Sequence, residues 1–283
     1  MAPTFSYMAR APKLPLFSHG VPPKSSSRPP LALSLAISSQ HCSSSSLEVV
    51  YHDIKAHTLR SLPADLHPSV AAPMRRLISA APPTAAPALC LAACHLVGGS
   101  RDRAINAACC VQLMHAAFHV HGRCSAAAHA PGVELMTGDG ILSFGYEMLS
   151  EGAGDPERVL RAVVEIASAT GARGVLEGQL MEAEGEGEGL WVRERKEGRL
   201  FSCSAACGAI LGGGSEEEVE RLRRFGLYVG MMRGGPTDAS AETFRSLARL
   251  ELKGFEPERV EEAQMLYGSW WYDRCTEGSI SQV

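Results

Sequence analysis

The first 47 residues contain no acidic side chain, and the first carboxylate of the chain is Glu48. Ser, Ala and Pro dominate this stretch, which therefore has too little apolar surface to fold. Its scattered basic residues are Arg10, Lys13, Lys24 and Arg28. This composition is typical of an organelle transit peptide, and Ser richness with few Arg favours the plastid. We predict that residues 1–46 are a disordered plastid transit peptide. The alternative is a disordered tail that is not removed from the protein.

Other absences limit the classes of function. No apolar run approaches the roughly 20 residues of a membrane-spanning helix, so any membrane contact should be peripheral. The net charge is -4 without a basic block, which argues against nucleic acid, since nucleic acid needs a clustered cationic face. The nine cysteines are an odd number, and no secretory signal precedes them. A disulfide framework is therefore not expected, and a reducing compartment is.

No stretch of the chain has the alternation of a convincing strand, whereas apolar residues recur every three or four positions in many segments. With 45% hydrophobic and 20% charged residues, the chain can bury one sizeable core. We predict an all-α domain over residues 47–283. Its helices are expected at 49–62, 69–79, 90–97, 101–120, 139–149, 156–171, 174–181, 200–211, from Ser215 onward, 239–253 and 257–274. Loops are expected at 122–132 and 182–189.

Several short stretches resemble one enzyme family. They are Pro-Ala-Leu-Cys-Leu-Ala-Ala-Cys-His-Leu-Val-Gly-Gly (Pro87 to Gly99), Thr-Gly-Asp-Gly-Ile-Leu-Ser (Thr137 to Ser143), Gly178-Gln179, and Gly-Ala-Ile-Leu-Gly-Gly-Gly (Gly208 to Gly214). They resemble the trans-prenyltransferases, the isoprenyl diphosphate synthases of the geranylgeranyl diphosphate type. The resemblance covers most of the chain from Leu47 and implies the isoprenoid synthase-type helical bundle.

The family's active site has three parts, and this sequence lacks all of them. Two Asp-rich motifs bind the Mg²⁺ that holds the diphosphate, because this hard cation takes oxygen ligands. Where the first should begin, the chain reads Phe118-His-Val-His121, and where the second should lie it reads 228–235 without Asp. A Gly-Lys-Arg cluster should fall at Ala80 to Ala86, where both cations are missing. The resemblance thus implies no catalytic residue and no metal ligand; Gln179 and Lys196 alone align with cavity-lining residues.

A branch of the plant family shares these losses and carries two Cys-x-x-x-Cys motifs, which stand here as Cys90/Cys94 and Cys203/Cys207. These are the non-catalytic small subunits, and the chain resembles most their second type, which recruits a geranylgeranyl diphosphate synthase. The resemblance implies a regulatory subunit in the chloroplast stroma that pairs, as a heterodimer or larger, with a plastidial catalytic subunit through these cysteines. It should change the activity, product chain length and location of that subunit. Mg²⁺ is expected in the catalytic partner only, and a thylakoid membrane-bound assembly is left open.

Alternatives stay open for several of these residues. The four cysteines are also plausible as small core residues or, if the pairs converge, as a zinc site. His115, His119 and His121 form either a metal site or the wall of a vacated cavity. Trp270-Trp271-Tyr272 is either a docking patch or a buried helix end. A divergent enzyme that uses Asp139, or an isoprenoid-binding scaffold without a synthase partner, are the rival functions.

Overall fold

A computed structural model describes residues 43–123, 131–152, 154–185, 189–232 and 239–267. Throughout these ranges the regular elements are helices and no residue lies in a strand, which confirms the all-α prediction. The helices are α1 Ser43–Arg60, α2 Pro68–Ala80, α3 Ala86–Leu96, α4 Arg101–Arg123, α5 Pro131–Ser150, α6 Pro156–Thr170, α7 Val175–Ala183, α8 Leu190–Arg193, α9 Arg199–Gly212, α10 Glu216–Met231, α11 Ala239–Leu252 and α12 Pro257–Tyr267. A π-helical turn, Glu194–Gly198, joins α8 to α9.

The helix ends follow the capping signals in most places. The Asp155 carboxylate accepts a hydrogen bond from the Glu157 backbone N–H at 3.1 Å at the start of α6. At the start of α10, Ser215 and Glu218 form the predicted reciprocal capping box. Left-handed Gly213, with φ of +98°, ends α9.

Several predicted helix boundaries differ from the structure; α3, for example, begins at Ala86 and not at Cys90. The prediction places Pro131 in the loop at 122–132 and begins the next helix at Asp139, but Pro131 is the first residue of α5, where its missing N–H costs nothing. The segment between α7 and α9 was not predicted as helical, yet it forms α8 and the π-helical turn.

Some predictions fall on residues that are not described. Trp270-Trp271-Tyr272 and the end predicted at Arg274 lie beyond Tyr267. Inter-residue contacts divide the chain into Met1–Gln40 and His41–Val283. The predicted transit peptide, residues 1–46, lies outside the described part except where α1 begins at Ser43, and it stays a prediction.

Helix α9 is the centre of the core. Every residue from Leu200 to Gly212 is buried, as expected of a helix that is apolar all round. It packs against α3, α4, α6 and α10. No helix in the described ranges is long and apolar enough to cross a membrane.

The α3–α9 contact depends on glycine, because the two backbones approach closely. A Cβ atom on Gly208 would lie 2.0 Å from the Cys90 carbonyl oxygen, and one on Gly212 would lie 2.9 Å from the Cys94 carbonyl oxygen. These glycines belong to the Gly208 to Gly214 stretch, so this part of the motif supports the packing of the bundle.

Candidate functional site

A cavity of about 270 Å³ lies where α4, α7 and the π-helical turn meet. It opens beside Phe118 to His121, the position at which the first Asp-rich motif was expected and is missing. The residues that line it are His115, Phe118, His119, Gly122, Val175, Gln179, Glu182, Lys196, Glu197 and Leu200.

The π-helical turn carries two of these side chains, Lys196 and Glu197. A π-helical turn widens the helix by one residue and is frequent at functional sites. Gly178 on α7 leaves room for it, since a Cβ atom there would lie 2.8 Å from Cγ of Lys196. The Gly178-Gln179 motif thus provides the space for the turn and one cavity side chain.

The two side chains predicted to contact a ligand form hydrogen bonds to other residues of this chain. Lys196 Nζ donates to Glu182 Oε2 at 2.7 Å, and Gln179 Nε2 donates to the Phe118 carbonyl oxygen at 2.8 Å. The Glu182 carboxylate thereby balances the positive charge of Lys196. Ligand contact by Gln179 and Lys196 stays a prediction, and an anion would have to compete with Glu182 for the ammonium group.

Sequence reasoning missed Glu182 and Glu197 as cavity residues. Glu182 had been assigned to a solvated loop, but it is in α7 one helical turn after Gln179, and that spacing could have placed it on the same face. Asp139, which was considered for a divergent enzyme, does not line the cavity. Its carboxylate is 3.4 Å from His121 Nε2, and its side chain is 73% exposed.

The cavity does not fit the Mg²⁺ of the family. Mg²⁺ requires near-octahedral oxygen ligands, whereas the cavity wall offers two imidazoles and two carboxylates, one of which is bonded to Lys196. In the part of the chain that the structure describes, no three His, Cys, Asp or Glu side chains form a group able to hold a metal ion. The histidines and the motif cysteines considered above are not brought together in such a group, and the absence of a metal stays a prediction.

The four motif cysteines are buried inside the chain. Cys90 Sγ is 4.0 Å from the Ala104 carbonyl oxygen of α4, and Cys94 Sγ is 3.3 Å from that of Ser100. Cys207 Sγ is 3.6 Å from the Ala162 carbonyl oxygen of α6. The small-residue strip predicted to meet a partner helix here faces helices of its own chain. A role of these cysteines in pairing stays a prediction, and it would have to act through the helices that they support.

Burial also keeps these thiols protonated. It raises the pKa of Cys94 to about 11 and that of Cys203 to about 12, where the Glu165 carboxylate adds to the rise. The thiolate is the form that acts as nucleophile and metal ligand. At neutral pH the motif cysteines are therefore packing groups.

Helix α6 has apolar side chains on two faces. Ala162, Ile166 and Ala169 face the core, while Leu160 and Val164, one turn apart, are 62% and 60% exposed. Neighbouring exposed apolar side chains are a candidate surface for contact with another protein. We call Leu160 and Val164 the outer face of α6.

The chain is similar to known plant proteins over most of its length. It is 37% identical to the heterodimeric geranylgeranyl pyrophosphate synthase small subunit 2, chloroplastic, of Cannabis sativa, over 82% of this chain and 95% of that protein. The crystal structure of a geranyl diphosphate synthase small subunit from Antirrhinum majus matches with 37% identity and a TM-score of 0.71, over 79% of this chain and 97% of that one.

A third match is a mint deletion mutant of heterotetrameric geranyl pyrophosphate synthase in complex with ligands, with 38% identity and a TM-score of 0.70, over 78% of this chain and 98% of that one. No protein-family model matches the chain. The two solved structures share the helical bundle of this chain. The chain therefore belongs to the trans-prenyltransferase family, in its branch of small subunits of heteromeric geranylgeranyl and geranyl diphosphate synthases.

Proposed function

We propose that the chain is a regulatory subunit without turnover of its own. It binds a plastidial geranylgeranyl diphosphate synthase catalytic subunit and changes its activity, product chain length and location. The observation that carries this proposal is the internal Lys196–Glu182 bond of 2.7 Å in a cavity that lacks the Asp-rich motifs of the family. A partner is supported by two relatives, a small subunit of a heterodimeric synthase and a heterotetrameric synthase.

The chemistry of the cavity supports the lack of turnover. Loss of the diphosphate leaves an allylic cation, and the family meets this demand with Mg²⁺ held by carboxylates. Here Phe118 and His119 stand where those carboxylates would begin, and Lys196 is neutralised by Glu182. The two carboxylates of the cavity wall, Glu182 and Glu197, come from α7 and the π-helical turn and do not form an Asp-rich motif.

The outer face of α6 is the surface that we assign to the catalytic partner. A stable heteromeric interface buries on the order of 2,000 Å² or more, with an apolar centre that dominates affinity. Leu160 and Val164 offer such a centre, flanked by the half-buried Val159 and Val163. The cysteines contribute indirectly, by supporting α6 from its buried side, where Cys207 Sγ contacts the Ala162 carbonyl oxygen.

The proposed location is the chloroplast, the location of the two small subunits of Cannabis sativa that the chain resembles. Any attachment to a thylakoid assembly would be peripheral, through a further protein.

Mixing the chain with a catalytic subunit tests the function. The chain alone, with Mg²⁺, isopentenyl diphosphate and an allylic diphosphate, should give no product above a protein-free blank. Added to a plastidial geranylgeranyl diphosphate synthase, it should change the rate or the ratio of C10 to C20 product. Product from the chain alone would establish a divergent enzyme, and no effect in the mixture would favour a scaffold without a synthase partner.

The double substitution Leu160→Glu with Val164→Glu should weaken pairing at least roughly tenfold, because two desolvated carboxylates at an interface centre cost about 2 kcal/mol or more. The dissociation constant can be measured by biolayer interferometry with immobilised synthase. Val49→Glu with Val70→Glu is the matched control, since these valines are 66% and 47% exposed on α1 and α2. Equal affinity of both variants would remove α6 from the interface.

A further inference from the structure

Helices α11 and α12 enclose a second cavity, a groove of about 560 Å³. Its apolar floor consists of Leu252, Phe255 and Val260, which are all buried. The groove shares no lining residue with the cavity beside α7. Its size lies in the range of small-molecule pockets, which combine apolar walls with a few polar groups.

Two cations stand on the α11 side of the groove. Arg249 is in the last turn of α11, and Lys253 follows the end of that helix at Leu252. The Lys253 backbone N–H donates to the Arg249 carbonyl oxygen at 3.3 Å, so the two residues are one helical turn apart. Lys253 forms no ion pair with another residue of the described ranges. Arg249 reaches a carboxylate, that of Glu242, only at 4.0 Å through Nη1. The Nε atom of Arg249 is buried and donates no hydrogen bond to a described residue.

The Arg249 side chain lines the groove and is 32% exposed, so its accessible N–H groups can donate to an anion bound there. The end of α11 places a partial negative charge near the site. Pro257 places the first turn of α12 in the wall of the groove. The partial positive charge at the start of α12 offsets the partial negative charge at the end of α11. The two side-chain cations then determine the sign of the potential on the α11 side.

We propose that this groove binds an amphiphile whose apolar chain ends in a phosphate group. The chain would lie on Leu252, Phe255 and Val260, and the phosphate would bind Arg249 and Lys253. A phosphate carries close to two negative charges at neutral pH and accepts paired hydrogen bonds from arginine, so it matches two cations better than a carboxylate does. Glu261 on the α12 wall repels an anion there and directs the phosphate to α11.

Isothermal titration of the full chain with dodecyl phosphate, below its micelle concentration, tests the proposal. We expect saturable binding of one molecule, with dodecanoate, dodecanol and inorganic phosphate each at least roughly tenfold weaker, since each lacks part of the recognised group. Binding of dodecanoate as tight as that of the phosphate would overturn the assignment of the head group. Absence of saturable binding would overturn the site.

Arg249→Gln with Lys253→Gln should weaken dodecyl phosphate binding roughly tenfold or more and leave dodecanol binding unchanged. Arg75→Gln with Arg76→Gln, on the exposed side of α2, is the matched control and should bind like the natural chain. Lys196→Gln should also bind like the natural chain. If Lys196→Gln abolishes binding instead, the ligand occupies the cavity beside α7 and the groove proposal is wrong.

Discussion

Gly208→Ala is expected to lower the free energy of unfolding by about 3 kcal/mol or more, within the range for severe core overpacking. The new methyl group would stand 2.0 Å from the Cys90 carbonyl oxygen and 2.9 Å from its carbon. Both are backbone atoms, so rotation of a side chain cannot relieve the overlap. Helices α3 and α9 must separate, and the core around them loses its packing.

The matched control is Gly140→Ala, the same substitution in α5. A Cβ atom on Gly140 meets nothing within 4 Å, and alanine is favoured over glycine in a helix interior by about 1 kcal/mol. The two variants should therefore change stability in opposite directions. Urea unfolding followed by circular dichroism measures both, and equal midpoints would show that α3 and α9 are not in close contact.

The sequence predicted the elements whose signals are local. The capping box at Ser215 and Glu218 and the Asp155-Pro156 pair each act within one turn of helix, and both begin helices as expected. Pro131 was misread because proline is equally compatible with a turn and with the first position of a helix. Only packing of the following residues decides between them, and α5 packs along α4.

The sequence predicts which active-site residues are missing from the candidate site, but not which of the remaining side chains bond to each other. Missing carboxylates at Phe118 to His121 are visible in the chain itself. The bond between Lys196 and Glu182 depends on how the π-helical turn packs on Gly178. No periodic pattern encodes a single wide turn, so this pairing required the three-dimensional structure.

The cysteine motifs show the same limit. A spacing of four places Cys203 and Cys207 on one face of α9, but it does not say which helix lies opposite. The structure places α6 there, with the Ala162 carbonyl oxygen 3.6 Å from Cys207 Sγ. The Cys203/Cys207 strip, which was expected to meet a partner directly, thus supports the buried side of α6. The outer face of α6 is the surface proposed to meet the partner.

Cys203→Ser with Cys207→Ser is expected to weaken pairing with the synthase roughly tenfold or more. Each serine hydroxyl replaces a buried thiol and costs about 1–3 kcal/mol if its hydrogen bond is poor. Cys207 Sγ lies close to the Ala162 carbonyl oxygen of α6, whereas Cys203 Sγ is 3.2 Å from the Leu200 carbonyl oxygen of its own helix. Relief of that cost shifts α6, and with it Leu160 and Val164. Cys90→Ser with Cys94→Ser should weaken pairing less, since these thiols contact the Ala104 and Ser100 carbonyl oxygens instead.

Loss of pairing could also follow from general loss of core stability, and Cys109→Ser with Cys110→Ser separates the two causes. These α4 cysteines are equally buried, so the double variant should lose a similar free energy of unfolding. Their helix does not carry the outer face, and the folded fraction should pair like the natural chain. Affinity measured by biolayer interferometry, at a temperature where all variants are folded, distinguishes the two causes.

If the α4 variant pairs as weakly as Cys203→Ser with Cys207→Ser, core stability alone explains the effect. If all three double variants pair normally, neither Cys-x-x-x-Cys motif contributes to the interface.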